Sequence, residues 1–392
     1  MDLGGINLRH VRAALETVRL GNLSAAADAV ALTQPAVSQG IARLEERLGT
    51  RLFEREAGGM TPTAPMRLIA PRIEAALAHL ASPRVTMAQL RCFIALAGAG
   101  GYAAASRETG LTEPTIHRSV RDLSVSLRRT LVLRRGRGVV LTQTGRLTAR
   151  AFRLARAELA AALSEIAAHA GREVGRIVIG AMPLSRARLL PDAAVAFHHA
   201  HPEVSLSIVE GSFPELVEPL RNGELDVILG ALRDPALCEG LAQHALFEDR
   251  LVVLARAGHK LAGTAPTLAT LASYPWVLPA AGAPLRTQWQ QIFASAGAAA
   301  PQVPIECGSV MAIREMLLQT DFLTLLSPDQ VAVELRAGVL AAICRPPGDP
   351  ARRIGFTTRA NWHPTRLQAD FLDCLSNSAG ALGKRRTQGL LF

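Results

Sequence analysis

Through the first 170 residues apolar side chains return every three to four positions, the repeat of a helix buried on one face. Val11, Ala14, Leu15 and Val18 share one such face, residues 25–30 make a short alanine-rich helix, and Val37, Ile41, Leu44 and Leu48 mark the buried side of a third. Thr33 stands where it can cap that third helix, and Pro35 falls in its first turn, where no intrahelical N–H bond is lost. The pattern then starts again. Residues 8–70 align without a gap on 87–149, at an offset of 79, and about a quarter of the positions are identical. Leu32-Thr33-Gln34-Pro35 matches Leu111-Thr112-Glu113-Pro114, Leu44, Leu48, Leu52 and Arg55 match Leu123, Leu127, Leu131 and Arg134, and Thr63 and Arg67 match Thr142 and Arg146. The spacing predicts two copies of one small domain, each a helix, a helix, a sharp turn, a helix and a short ribbon.

Between the copies, residues 66–80 are helix-like and end at Ser82-Pro83. After the second copy, 145–170 reads as one long helix with Phe152, Ala155, Leu159, Ala162 and Ile166 alternately three and four apart, a narrow coiled-coil-like seam that stops before His169. From Gly171 the pattern changes to short apolar runs alternating with helical stretches. Strands are predicted at 176–180, 204–209, 226–232, 276–279, 304–308, 322–327, 340–344 and 353–358. Helices are predicted at 189–200, 214–223, 285–297, 310–319, 329–338 and 365–378.

Charge adds a partner to this picture. The chain of 392 residues carries a net charge of +10, and all of the excess lies early: residues 1–170 hold 23 Arg and no Lys against 13 acidic side chains, whereas 171–392 hold 20 of each sign. With 49% hydrophobic and only 19% charged residues the basic part must itself be folded, and a basic folded head on a neutral body suggests an anionic polymer as partner. The third helix of each copy leaves a small polar and basic face free: Ala36, Ser38, Gln39 and Arg43 in the first, Thr115, His117, Arg118 and Arg121 in the second. One such helix fits a major groove, where Gln and Ser can bond base edges, and arginines of the following ribbon can hold phosphate. Arg51 and Arg55 have that place in the first copy, and Arg128, Arg129, Arg134, Arg135 and Arg137 make a denser ribbon in the second. The alternative is a pair of three-helix packing modules with solvated faces.

Residues 8–67 resemble the N-terminal winged helix-turn-helix of LysR-type transcriptional regulators, most clearly in 23–27, Thr33-Gln34-Pro35-Ala36-Val37-Ser38, Leu44-Glu45, Leu48-Gly49 and Leu52-Phe53-Glu54-Arg55. That family normally carries one winged domain, so the second copy is the unusual part. It departs from the pattern where Glu113 replaces Gln34, His117 replaces Ser38, Ser124 replaces Glu45 and Val132-Leu133 replaces Phe53-Glu54. A carboxylate opening a helix suits the helix dipole but repels phosphate, so the second copy is expected either to grip DNA with a changed base preference or to serve mainly as scaffold. In the first copy Met66 stands where the second has Gly145, and Pro62 and Pro65 are expected to distort the wing.

The resemblance implies a multidomain chain: winged domains at 6–81 and 85–144, a linker or dimerisation helix at 145–170, and a two-lobed α/β effector-binding domain at 171–380, similar to periplasmic solute-binding proteins. Lobe I is expected at about 174–262 and 347–380 and lobe II at about 263–346. Leu189-Leu190-Pro191, Phe197, Pro202, Gly223-Glu224-Leu225-Asp226 and Ser327-Pro328 carry the likeness in the body. It also implies double-stranded promoter DNA, a small-molecule effector (a carboxylate, aromatic acid or sugar), a homodimer or homotetramer paired through the long helix, and RNA polymerase as a further partner. A helix folded back on its own chain is the alternative for that seam. Effectors in such lobes sit at strand-to-helix turns, here Pro183-Leu184-Ser185-Arg186 and Gly308-Ser309-Val310, the latter before a helix holding Arg314; 230–233, ending in Arg233, and 279–286 are further walls.

Other chemistry is less well served. His198, His199 and His201 cluster at a helix end without a carboxylate or cysteine at ligand spacing, so no metal is expected, and neither is a cofactor. No GxSxG, glycine-rich phosphate loop or HExxH occurs, which weighs against an enzyme; a solute-binding or enzymatic body with a non-regulatory nucleic-acid head is the rival reading. The five cysteines are scattered, Cys307 alone lying near a proposed turn, and are expected to be reduced. No apolar run reaches a bilayer's thickness and residues 1–10 lack a signal-peptide pattern, so a cytoplasmic protein is expected.

Overall fold

A computed structural model describes residues 3–56, 59–136, 138–172 and 175–387. The chain divides into two compact units, one through residue 175 together with 221–224, the other made of the remainder. The first unit begins with α1 (Leu8–Leu20), α2 (Leu23–Ala29), α3 (Gln34–Leu48), a ribbon of β1 (Phe53–Glu56) and β2 (Gly59–Pro62), and α4 (Ala64–Ala78). The same series returns as α5 (Met87–Ala99), α6 (Tyr102–Thr109), α7 (Glu113–Leu127), β3 (Val132–Arg135), β4 (Gly138–Leu141) and α8 (Gln143–His169).

The repeat holds at the level of single dihedrals. Gly21 and Gly100, 79 residues apart, end their helices at φ values of 65° and 69°, a left-handed turn that costs glycine nothing. Phe53 pairs with Pro62 and Glu56 with Gly59 in the first ribbon, and Val132 with Leu141 and Arg135 with Gly138 in the second, an identical register. The distortion expected from Pro62 and Pro65 is therefore not seen in the pairing, because Pro62 ends its strand and Pro65 lies in the first turn of α4. The helix starts do differ. Thr33 Oγ1 accepts from the Ala36 N–H at 3.4 Å, as expected, but Thr112 makes no cap; its hydroxyl lies 2.8 Å from that of Thr115.

Gly145 shows one place where the copies have diverged in packing. A Cβ there would sit 2.0 Å from the Leu131 carbonyl oxygen, whereas the first copy holds fully buried Met66 at the same position. Gly145→Ala is expected to destabilise the chain by about 1–3 kcal/mol through overpacking against backbone, read as a lower midpoint in urea.

The long seam finds its cover inside the chain. Phe152, Ala155, Leu159, Ala162 and Ile166 are all at most 4% exposed, and they belong to one continuous core with Met66, Ile69, Ile73, Ala76 and Leu77 of α4. α4 packs along α8. Arg72 of α4, its side chain 10% exposed, reaches Glu158 and Glu165 of α8, both at 3.3 Å. Where a second subunit was expected, the seam's apolar positions are covered by the equivalent helix of the first copy, the alternative of a helix folded back on its own chain.

In the second unit a five-stranded sheet has the order β6-β5-β7-β14-β8, from β5 (Gly175–Ala181), β6 (Val204–Glu210), β7 (Val227–Ala231), β8 (Leu241–Arg250) and β14 (Ala351–Arg359). β5 and β7 run parallel, and β14 runs antiparallel to β7 and β8. α9 (Leu189–Ala200) and α15 (Arg366–Thr387) pack on this sheet and on each other, with Phe197 edge-on to Phe371 at 5.6 Å; α10 (Phe213–Arg221) completes the lobe. Lobe II holds the sheet β12-β9-β13, built from β9 (Val252–Arg256), β12 (Thr324–Leu326) and β13 (Leu340–Cys344), and a parallel pair, β10 (Val277–Leu278) with β11 (Ile305–Glu306). Around them lie α11 (Leu268–Ala272), α12 (Pro284–Ser295), α13 (Val310–Gln319) and α14 (Ala332–Arg336).

β8 and β9 were not anticipated, and they move a boundary. The chain leaves lobe I at Leu251, between Arg250 of β8 and Val252 of β9, about a dozen residues before the expected point at 263. Fully buried Asp249 ties the crossing: it accepts from Ser327 Oγ of lobe II at 2.6 Å and from Arg352 Nε of the returning strand at 2.9 Å.

Candidate nucleic-acid interface and effector site

The outer face of α3 is a consequence of how its inner face is spent. Val37, Ile41, Leu44 and Leu48 are buried, which leaves Gln34, Pro35, Gln39 and Arg43 exposed and Ala36 and Ser38 half-buried. Thr33, Arg51 and Arg55 are exposed beside them. A groove between α3 and the ribbon is lined by Ser38, Ala42, Glu45, Arg51, Arg55 and Met60. Glu45 braces that groove, its Oε1 accepting from the N–H groups of Leu52 at 2.7 Å and Phe53 at 3.2 Å. Behind the helix, burial and then the Arg43 charge hold His10 below the usual imidazole range.

The second copy builds the same groove from different chemistry. Thr115, His117, Arg118 and Arg121 of α7 and Arg134 and Arg135 of β3 are all exposed, with His117 against Tyr102 at 5.2 Å. Ser124 stands for Glu45 and bonds back to the Val120 carbonyl at 3.0 Å, so no carboxylate at this position braces the described residues of the ribbon. Its groove is lined by His117, Arg121, Ser124, Arg128 and Arg129 with no acidic residue. Positions 8–70 contain eight arginines and six carboxylates, positions 87–149 ten and three. Arg137 lies outside the described residues.

Within the second unit the predicted turns fare unevenly. Ser185 is fully buried and its hydroxyl donates to carbonyls of Met182 at 2.9 Å and Leu229 at 3.2 Å, while Leu184 is buried in the core. Ser185 therefore locks its own turn and is not presented to a ligand, which corrects the expectation. Arg186 is paired with Glu210. Ser309 is exposed and caps α13, accepting from Ala312 N at 3.4 Å, and Val310 beside it is half-buried. Arg314 is held by Glu315 and Glu334. His201 is buried against Phe197 at 4.7 Å with Asp370 3.4 Å away. All five cysteines are free thiols.

Arg233 stands differently. It follows β7, lies over the Phe213 ring at 5.3 Å, and directs Nη2 to Met182 Sδ at 3.5 Å, so it gathers residues that follow β5, β6 and β7. Its Nε is buried with no hydrogen-bond partner among the described residues. Burial, and then the Arg352 charge, hold it below the usual guanidinium range. In lobe II Arg286, in the first turn of α12 after β10, rests 5.1 Å from the Trp289 ring with Nε and Nη1 likewise buried and unpartnered. Trp289 Nε1 beside it is also unpartnered. Met182, Phe213 and Trp289 were missed because each reads as plain core; their closeness to an orphaned cation is a tertiary fact.

These features agree with comparison to known proteins. The model of the bacterial regulatory helix-turn-helix protein, lysR family, matches twice, at 8–66 and 87–146, and the LysR substrate binding domain matches 170–380. HTH-type transcriptional regulator GalR of Pseudomonas putida is 33% identical over 382 residues, covering 94% of this chain and 96% of that protein. HTH-type transcriptional regulator PcaQ of Agrobacterium fabrum is 26% identical, covering 99% of itself but only 78% of this chain, a shortfall about the length of one winged copy. In fold the chain is similar to ArgP from Mycobacterium tuberculosis, at a TM-score of 0.57 and 18% identity, covering 74% of this chain and 96% of the other. Among the described residues no helix is long and apolar enough to cross a membrane. The chain belongs to the LysR family of DNA-binding transcriptional regulators, with an effector-binding domain behind two helix-turn-helix copies.

Proposed function

We propose that this regulator acts in the cytoplasm as a homo-oligomer at a promoter, where its first copy is the principal reader of bases and its second holds the backbone more strongly, with a changed base preference. In this reading Gln34, Ser38, Gln39 and Arg43 face base edges, Thr33, Pro35 and Ala36 set the close approach of the helix start, and Arg51 and Arg55 bind phosphate. The exposed polar face of α3 beside a braced wing is the observation that carries it. Thr115, His117, Arg118, Arg121, Arg134 and Arg135 serve the second copy, whose groove is lined by no carboxylate among the described residues, which supports a stronger hold on phosphate beside its changed base preference. Substituting Arg128, Arg129, Arg134 and Arg135 with alanine is expected to flatten the salt dependence of affinity, by up to about 0.9 in log–log slope for each phosphate no longer neutralised. An unchanged slope in titrations from low to moderate salt supports the scaffold role instead.

The effector in this reading is a carboxylate-bearing small molecule that engages Arg233 of lobe I and Arg286 of lobe II. A buried guanidinium N–H without a partner is costly, and an anion relieves that cost where a neutral sugar relieves less of it. By favouring one arrangement of the lobes, such a ligand shifts the arrangement of subunits and their contacts with DNA and RNA polymerase.

A further inference from the structure

We infer that a single chain supplies both readers of a two-part operator, and that the two parts are unlike in sequence. The inference rests on the assignment of α3 as a base reader. Its first support is the duplication of every element of the winged domain, with the same ribbon register in both copies. Its second is the way the copies are joined. α4 and α8 are the same element of the two copies, and they pack on each other; contact between equivalent elements is the mark of an isologous dimer interface, closed here within one chain. Arg72 between Glu158 and Glu165 fixes that pairing with charges that are themselves mostly buried. The seam residues Leu159, Ala162 and Ile166 are covered by the chain's own α4, so another chain's seam has nowhere to dock without unpacking it.

The third support is that the joined copies present unequal faces. At equivalent positions Gln34 corresponds to Glu113, Ser38 to His117, Gln39 to Arg118 and Arg43 to Asp122. A pair of identical subunits matches an operator with two identical halves, because protein symmetry is mirrored in the site. An unequal pair on one rigid core instead matches two dissimilar elements at one fixed spacing. A second copy of the chain then brings two further readers, so two chains carry four.

Selection of binding sites from random duplexes by the full chain tests this. The expected result is two unlike elements at a constant spacing. Gln34→Ala with Ser38→Ala is expected to blur one element, and His117→Ala with Arg118→Ala the other. Inserting about five base pairs between them, half a turn of duplex, is expected to lower affinity at least tenfold. An inverted repeat of one element, untouched by the His117 and Arg118 changes, overturns the joined pair of readers. A selected site that the Gln34 and Ser38 changes leave intact overturns the assignment of α3 itself, so the two failures are distinguishable.

Discussion

Gln34, Ser38 and Arg55 replaced together by alanine are expected to lower affinity for the native operator by about 10³-fold or more, with nonspecific binding much less affected. Each good base contact discriminates by roughly 1–3 kcal/mol, and a phosphate left without its arginine adds to this, so the three changes together remove about 4 kcal/mol or more. None of the three side chains belongs to the buried core: Gln34 and Arg55 are exposed, and half-buried Ser38 lines the groove beside α3. The variant should therefore unfold at the wild-type midpoint. Footprints on the native promoter decide the matter, and an unaltered footprint sinks the first copy as principal reader.

The second large effect concerns the body. Arg233→Met and Arg286→Met, singly, are each expected to weaken the effector by about 10²-fold, since truncating one partner of a buried charge pair costs roughly 2–5 kcal/mol. Affinity for DNA without effector should be unchanged. The ligand-free chain should also become slightly more stable, because each change deletes a cation with at least one buried N–H group that has no partner among the described residues. Effector titration against promoter binding, together with thermal unfolding of the ligand-free variants, separates this from plain damage. A full effector response in both variants, or a lowered melting temperature without ligand, moves the site elsewhere. Ser309→Ala, by contrast, removes a helix cap, an effect of about 1 kcal/mol on stability.

Local rules account for what was legible beforehand. The helical period and the offset of 79 located the eight α-helices described in the head, because burying one face imposes a 3.6-residue repeat whatever the partner. The free face of α3 followed by subtraction from Val37, Ile41, Leu44 and Leu48. β8 escaped because Leu241–Arg250 is an edge strand of mixed polarity, and it took with it the true crossing at Leu251. Ser185 was misjudged because a serine at a turn looks alike whether its hydroxyl faces a ligand or a carbonyl far along the chain, here that of Leu229.

By itself, then, the sequence determined the repeat, its helices, the basic head and the polar face left over on α3, since each of these depends only on neighbours along the chain. Tertiary structure alone decided three things: which surface covers the seam of α8, which arginines are paired, and which serine turns its hydroxyl into the core. An apolar stripe states that it needs cover but not from whom, and a charge states its sign but not its partner. Here α4 supplies the cover, Glu210, Glu315 and Glu334 occupy Arg186 and Arg314, and Arg233 and Arg286 keep buried N–H groups that no described side chain or carbonyl satisfies.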